Sequence, residues 1–497
     1  MIYRLIVFIL SATFLFSSCK KDFFQESGPG VLSFSNDSIL FDTIFASVGS
    51  ATQKFVVYNS NSNPVSIESI KLTESDPNNV YRINIDGQPI ENSQNIKLAA
   101  NDSMFVFVEV TINPNNALLP FLVTNTLEFT TNDSKQNIAL VTYGQNANFY
   151  TPSDNLFIVQ NDSTNSNDSI NIAYYSISEN TSWTNELPHV IYGYVIVEPN
   201  AVLTIEEGTQ VYLHENSGII VGNPVFGSSN DGGTLVVNGN LGNEVVFQGD
   251  RLESFYENAP GQWDIIWMVQ GSINNRIDHA IIKNGTVGLK VDTIGNSTNP
   301  TLTLSNTIIE NMSDIGLFAQ GSNVLAYNNV IKNCARYSLV LNIGGDYDFT
   351  HCTFANYYEY GSRNTPAVLV NNYYEDAFGN IQLRDLNKAN FTNCIIDGSN
   401  GHEIILEENN NAIFNYNFEN CLLKIDQDSS LQQLNHSNSI KIDNSVTVFN
   451  NSIEQNFTLS ANSPAINSGK PTFILNDILG NSRIGNPDMG AYEYLDN

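Results

Sequence analysis

Basic residues are scarce in this chain. Lys and Arg together number 21 against 51 Asp and Glu, a formal net charge of −30 over 497 residues. A surface of that sign repels phosphate backbones and anionic headgroups, which excludes nucleic acid as a partner. Cysteine is sparse too: five in all and no CxxC pair, which argues against a zinc ribbon. The motifs of common catalysts are missing. There is no GxSxG elbow, HExxH zinc motif, phosphate loop or dinucleotide fingerprint. No cofactor is expected. The acidity suits an extracellular setting near divalent cations such as calcium, but no ligand cluster marks a metal site.

What is present begins with an address. Met1-Ile-Tyr-Arg4 supplies one positive charge, and an apolar run of about 12 residues follows from Leu5 to Phe16. That run is too short to span a bilayer. Ser17-Ser18-Cys19 comes next, then Lys20-Lys21-Asp22. The segment resembles a bacterial lipoprotein signal of the Bacteroidota type, although Phe16 stands where Leu is usual. The resemblance implies that residues 1–18 are removed, that Cys19 is acylated, and that 19–28 form a membrane tether. It further implies export to the outer membrane and display at the cell surface. Lys20-Lys21 departs from the acidic signals that mark surface export.

The second half carries a recurring hexapeptide. It reads His279-Ala-Ile-Ile-Lys-Asn284, Asn306-Thr-Ile-Ile-Glu-Asn311, Asn328-Asn-Val-Ile-Lys-Asn333 and His351-Cys-Thr-Phe-Ala-Asn356. Asn393-Cys-Ile-Ile-Asp-Gly398 and a weaker Asn420-Cys-Leu-Leu-Lys-Ile425 follow. On the fourth residue the steps are 27, 22, 23, 42 and 27. Repeats of this length mean stacked structural units. Each copy reads as a short strand with residues two and four on one face. The step of 42 is read as two coils with one unrecognised copy. The closing Asn284, Asn311, Asn333 and Asn356 suit left-handed turns and would stack as a ladder. His279 and His351 occupy the first position, where other copies have Asn, so they read as ladder residues rather than acids or bases. Cys352, Cys394 and Cys421 share position two and should line up in the core, with a disulfide the minority reading. The pattern resembles the right-handed parallel β-helix of the pectin-lyase-like superfamily, over 183–458.

The front half has another rhythm. Alternating strands at 54–58, 66–72, 104–112, 125–129 and 137–143 are separated by polar turns such as Asn59-Ser-Asn-Ser-Asn-Pro64, which suggests a β-sandwich over 29–149. Phe41-Asp-Thr43 and Phe129-Thr-Thr-Asn132 look like those of immunoglobulin-like domains in exported bacterial proteins. Residues 150–182 read as a linker, because 160–169 is almost entirely polar. The tail, 459–497, contains Ser463-Pro-Ala-Ile-Asn-Ser-Gly469, Asp477-Ile-Leu-Gly-Asn-Ser-Arg483 and Pro487-Asp-Met-Gly-Ala-Tyr-Glu493. It resembles the C-terminal segment of exported bacterial β-helix proteins and should cap the last coil. Asp477, Arg483, Asp488 and Glu493 then read as cap hydrogen bonders.

The expected fold is therefore all-β: an N-terminal immunoglobulin-like sandwich, then a right-handed parallel β-helix with a C-terminal cap. Catalytic residues are not evident. Ile277-Asp-His279 is similar to a pectate-lyase motif, but the accompanying arginine motif is missing. The pairs Glu375/Asp376 and Glu407/Glu408 face opposite ways if they lie on strands. The candidate glycan-binding residues are Tyr357, Tyr358, Tyr360, Arg363, Tyr373, Tyr374 and Arg384. Their rings suit sugar faces and their guanidinium groups suit carboxylate or sulfate. Trp263 and Trp267 offer one platform and one structural plug. Asp followed by Ser or Thr is similar to an O-glycosylation acceptor of some Bacteroidota, which marks Ser38, Thr43, Ser103, Ser163, Ser169 and Thr293. Two functions stay open: a non-catalytic surface protein that binds polysaccharide or aids adhesion, and a polysaccharide lyase or glycoside hydrolase inferred by fold analogy.

Overall fold

The computed structural model describes residues 31–74, 80–90, 93–115, 117–132, 134–161, 167–224, 232–293, 299–376, 378–425 and 434–496. The expected signal 1–18, the tether with Cys19, Ser163 and the Ser169 side chain lie outside these residues. The chain divides into two compact units, 1–146 and 147–497.

The first unit is a two-sheet β-sandwich. One sheet orders Ser33–Phe34, Gln53–Tyr58, Ser103–Val110, Tyr81–Ile85 and Gln88–Pro89. The other orders Ser38–Phe45, Ser134–Gln145, Phe121–Thr131, Val65–Leu72 and Gln94–Leu98. Their inward residues form one core in which Phe55 and Phe129 meet edge to face at 6.3 Å. The Asn59 turn is fixed by its own buried amide, which donates to the carbonyls of Asn63 and Ala99 at 2.9 and 2.8 Å.

The second unit is a parallel β-helix. Among the described residues, three long sheets of eleven, ten and ten strands run along it, and successive strands of the chain visit the three in rotation. All six hexapeptides fall in the eleven-stranded sheet, here termed the repeat sheet. Their fourth residues stack in register: Ile282 beside Ile309, then Ile331, Phe354, Ile396 and Leu423. Each points into a core that is apolar along its length. Full burial of a side chain of this kind contributes about 1.5–3 kcal/mol. A third-sheet column of Phe349, Phe391 and Phe418 stacks at 5.1 and 4.8 Å. Cys334, Cys352, Cys394 and Cys421 are buried free thiols.

The first residue of every hexapeptide is left-handed, with φ between 48° and 55° at 279, 306, 328, 351, 393 and 420. Asn and His tolerate that conformation because their side chains bond locally. Asn328 donates to Asn306 at 3.1 Å, and the Asn393 amide lies 2.9 Å from His351 Nε2. Both histidines are thus members of the corner column. At the sixth position Asn284, Asn311 and Asn333 are also left-handed. Asn356 is not among the left-handed residues; its side chain instead accepts from the Cys334 N–H at 2.9 Å.

Three expectations need correction. The step of 42 is one coil, not two: Thr353–Asn356 pairs directly with Ile395–Gly398. The surplus residues leave sideways, partly as an arm of two antiparallel strands, Tyr373–Glu375 and Ile381–Leu383. Most of the expected linker 150–182 is strand among the described residues. Asp154–Asn161 pairs antiparallel with Asn167–Ile177, and the latter pairs in parallel with Tyr194–Val197. Leu156 packs with Ile172 and Ile196, which outweighs the polar residues of the segment.

The third correction concerns the tail, which lies along the flank of the repeat sheet instead of plugging its last coil. As the chain runs from 468 to 476 it meets progressively earlier coils. Ser468 O accepts from Asn420 at 3.1 Å, Lys470 O from Asn393 at 2.7 Å, and Asn476 O from Asn328 at 2.8 Å. Met489 and Ala465 pack on Ile395 and Leu422, and Ile478 packs on Val330. These covered residues hold the third hexapeptide position, which faces outward and is apolar. The segment removes that face from water. Asp477, Arg483, Asp488 and Glu493 serve its internal bonding: Asp488 accepts the N–H groups of Asn467 and Tyr494, and Arg483 pairs with Glu493 and donates to Asn328.

Candidate functional site

The seven candidate glycan-binding residues separate into three groups. Tyr357 and Arg363 are structural. Tyr357 donates to Asp397 Oδ2 at 2.8 Å and stacks on Phe457 at 5.7 Å. Arg363 is 7% exposed and forms a two-pronged pair with the fully buried Glu403, at 2.7 and 2.5 Å. It also donates to the carbonyl of Asn356. Burial pushes the Glu403 carboxyl upward, with Arg363 opposing. Tyr358 and Tyr360 form a separate surface pair, rings 5.8 Å apart.

Tyr374 and Arg384 do come together, at the root of the arm. The arm turns tightly because the Asp376 carboxylate accepts the N–H groups of Phe378 and Asn380 at 3.0 and 2.9 Å. Its base is held by the buried Asn372, which donates to Asn409 O at 3.0 Å. Tyr373 is half-buried beside Tyr374 on the same strand. The returning chain passes so close to Gly344 (φ 71°) that a Cβ there would lie 2.4 Å from Asp385 O. Arg384 is thereby aimed over a hollow of 230 Å³ bordered by Tyr374, Gln270, Gln320, Gln382, Thr293 and Asp292. Its Nη1 donates to Thr293 Oγ1.

Asp292 is the second polar anchor. Its Oδ2 accepts from Trp267 Nε1 at 2.7 Å, and its Oδ1 stands 3.5 Å from Lys290 Nζ. Burial pushes this carboxyl upward, against the pull of Lys290. Trp267 is half-buried beneath the Lys290 ammonium, 4.2 Å from its ring centre. Trp263 is the plug: it is 1% exposed and donates to Lys283 O.

Charge pairing singles out Arg384. Arg82, Arg251, Arg276, Arg336, Arg363 and Arg483 each pair with a carboxylate. Arg384 pairs with none among the described residues and faces the hollow. A guanidinium of this kind has donors left for a ligand's carboxylate, sulfate or hydroxyls.

A second recess, of 520 Å³, was not foreseen. It lies between the terminal segment and the corner column, and is bordered by His279, Asn306 and Tyr327 and by Phe473, Leu475 and Leu241. Asp278 lies behind it, 3.0 Å from His279 Nδ1, and accepts from Ser305 and Asn306 at 2.8 and 2.9 Å. Burial works against its charge, yet His279 and these hydrogen bonds prevail and hold the carboxyl well below its usual range. The recess joins residues more than 200 positions apart, and only the exposed apolar residues of 473–479 hinted at it.

Of the Asp-Ser/Thr positions, Ser103 is exposed, Ser38 and Thr43 are half-exposed, and Thr293 is engaged by Arg384. Among the described residues no group of three or more His, Cys, Asp or Glu converges as metal ligands would.

No protein-family model and no curated protein matches the sequence. Among solved structures, 22% of the chain is similar to a family 123 glycoside hydrolase from Clostridium perfringens. The identity is 15%, 23% of that chain is covered, and the TM-score is 0.18. A further 26% figure applies to an ASH/PapD-like domain of human CEP192, with 12% identity, 92% of that chain covered and a TM-score of 0.16. The chain thus spans under a quarter of the hydrolase.

Proposed function

We propose that this chain is an exported, non-catalytic protein that binds glycans through the Arg384 hollow. What supports the reading is the one arginine among the described residues that forms no ion pair with a carboxylate, set over a polar recess with an aromatic ring and three side-chain amides. A sugar presents hydroxyls that donate and accept, and often a carboxylate or sulfate. The proposal extends to the rest of the molecule. Acylation at Cys19 would tether it to the outer membrane, at the surface of a Bacteroidota-type bacterium. The sandwich would act as an immunoglobulin-like spacer or interaction module.

A glycan array on the purified chain, with and without calcium, tests this when bound and shortened oligosaccharides are read together. Retained glycan without product is expected. Arg384→Ala should weaken binding by about tenfold or more, as a charge-assisted hydrogen bond is worth about 1.5–3 kcal/mol. Tyr374→Ala should also weaken it. Shortened or unsaturated products would replace the proposal with a lyase or hydrolase.

A further inference from the structure

We propose that the recess between the corner column and the terminal segment is a second carbohydrate site, separate from the Arg384 hollow. It would take neutral sugars that carry apolar substituents, such as N-acetyl or methyl groups. At 520 Å³ the recess falls within the range of about 300–1,000 Å³ typical of small-ligand sites. Its lining is chemically mixed. Phe473, Leu475 and Leu241 are 68, 71 and 47% exposed, an unusual gathering of large apolar side chains in water. The same recess is bordered by an imidazole and a phenol, from His279 and Tyr327. Tyr327 meets Phe473 edge to face at 6.0 Å, which gives the recess an aromatic corner. A substituted sugar has the same mixed character, with hydroxyls on one part and C–H or methyl surface on another.

Charge selects against acidic sugars here. No Lys or Arg borders the recess, and the nearby Arg276 is taken by Asp278 at 2.8 Å. The ionised Asp278 behind the recess would repel a ligand carboxylate. A peptide docked by strand addition is disfavoured as well. Asn476, on the rim, is already bridged to Ser482, and its carbonyl accepts from Asn328. It therefore offers no open strand edge of the kind a peptide would extend. The column amides are engaged here as they are at Asn393 and Asn420: Asn306 donates to Asp278 and Asn328 to Asn476 O. The polar groups the recess offers a ligand are therefore the His279 imidazole and the Tyr327 phenol.

The test is titration calorimetry of the purified chain with triacetylchitotriose, cellotriose and tri-galacturonate. The acetylated probe should bind, and the other two about tenfold or more weaker, as expected when an apolar group fills its pocket. Phe473→Ala and Leu241→Asp should each lower affinity by about tenfold or more with circular dichroism unchanged, because both side chains are exposed. Ile484→Ser, on the same segment but outside the recess, should change nothing. Equal binding of cellotriose would overturn the substituent class, and preference for tri-galacturonate would overturn the charge argument. Loss of all neutral binding, an unaffected Phe473→Ala, or occupation by a peptide copying residues 470–485 would overturn the site. None of these results bears on the Arg384 hollow, whose residues the variants leave intact.

Discussion

Replacing Arg363 by Met isolates what the buried pair does. Glu403 is 0% exposed and takes four hydrogen bonds: two from Arg363, and one each from the N–H groups of Ala367 and Asn400 at 2.7 Å. Without Arg363 the carboxylate either stays charged with two amide donors or takes a proton. Protonation sets the ceiling. Holding a proton at pH 7 on a group whose ordinary value is about 4.3 costs about 3.7 kcal/mol, at about 1.36 kcal/mol per unit. That agrees with the roughly 3–5 kcal/mol seen when one partner of a buried pair is removed. The sign in pH follows. Burial already raises the Glu403 value, and the variant raises it further, so the folded state holds a proton that the unfolded chain has lost. Stability of Arg363→Met then falls as pH rises above about 4.3, from a loss of about 1 kcal/mol at pH 5 to about 3.7 at pH 7. Arg363→Met with Glu403→Gln should flatten that slope. Hydrogen exchange of the strands Thr353–Asn356 and Ile395–Gly398, measured at pH 5 and 7, reads the effect locally. A loss under about 1 kcal/mol at both pH values would refute the reasoning.

Three other outcomes are expected. Phe391→Ala, which empties the middle of the Phe349–Phe391–Phe418 stack, should cost about 3–5 kcal/mol and lower exchange protection in its coil, with the sandwich of residues 31–146 unaffected. The buried thiols should resist alkylation in the native state and react fully in denaturant, since burial pushes Cys334 up to about 12 and raises Cys352 and Cys394 as well; intact-mass analysis decides it. His351 is buried, and that burial together with Arg483 pushes it down to about 3. The unfolded chain therefore binds the proton first, and stability is lost as pH falls below about 6.5, by up to about 1.4 kcal/mol per unit. His351→Asn should flatten this acid slope in the exchange protection of residues 489–491.

The sequence made the stacking legible because backbone and side chain agree there. The first hexapeptide residue must be left-handed and the fourth must point inward, so both leave periodic marks. The step of 42 misled because spacing alone does not distinguish a missing copy from a sideways insertion. Arg363 and Arg384 look alike in the sequence. Their fates differ because Glu403, 40 residues from Arg363, forms an ion pair with one, whereas no described carboxylate does so with the other, Asp292 across the hollow only attracting it from a distance. The path of the tail did leave a clue. Val330, Ile395 and Leu422 are apolar at an outward position, which is affordable only if something covers them. The second recess left almost none, since its sides come from three distant stretches with no shared period.

The tail's route has a consequence for how the molecule opens. A bare stack of coils behaves as a chain of neighbours, each able to fray without asking more than the next. Here a single segment is fastened at Asn420, Asn393, Thr353 and Asn328. Opening any one of those coils means peeling a belt that the others also hold. The belted coils should exchange their amides as one cooperative block, while coils before residue 240, outside the belt, retain the independence of an ordinary solenoid.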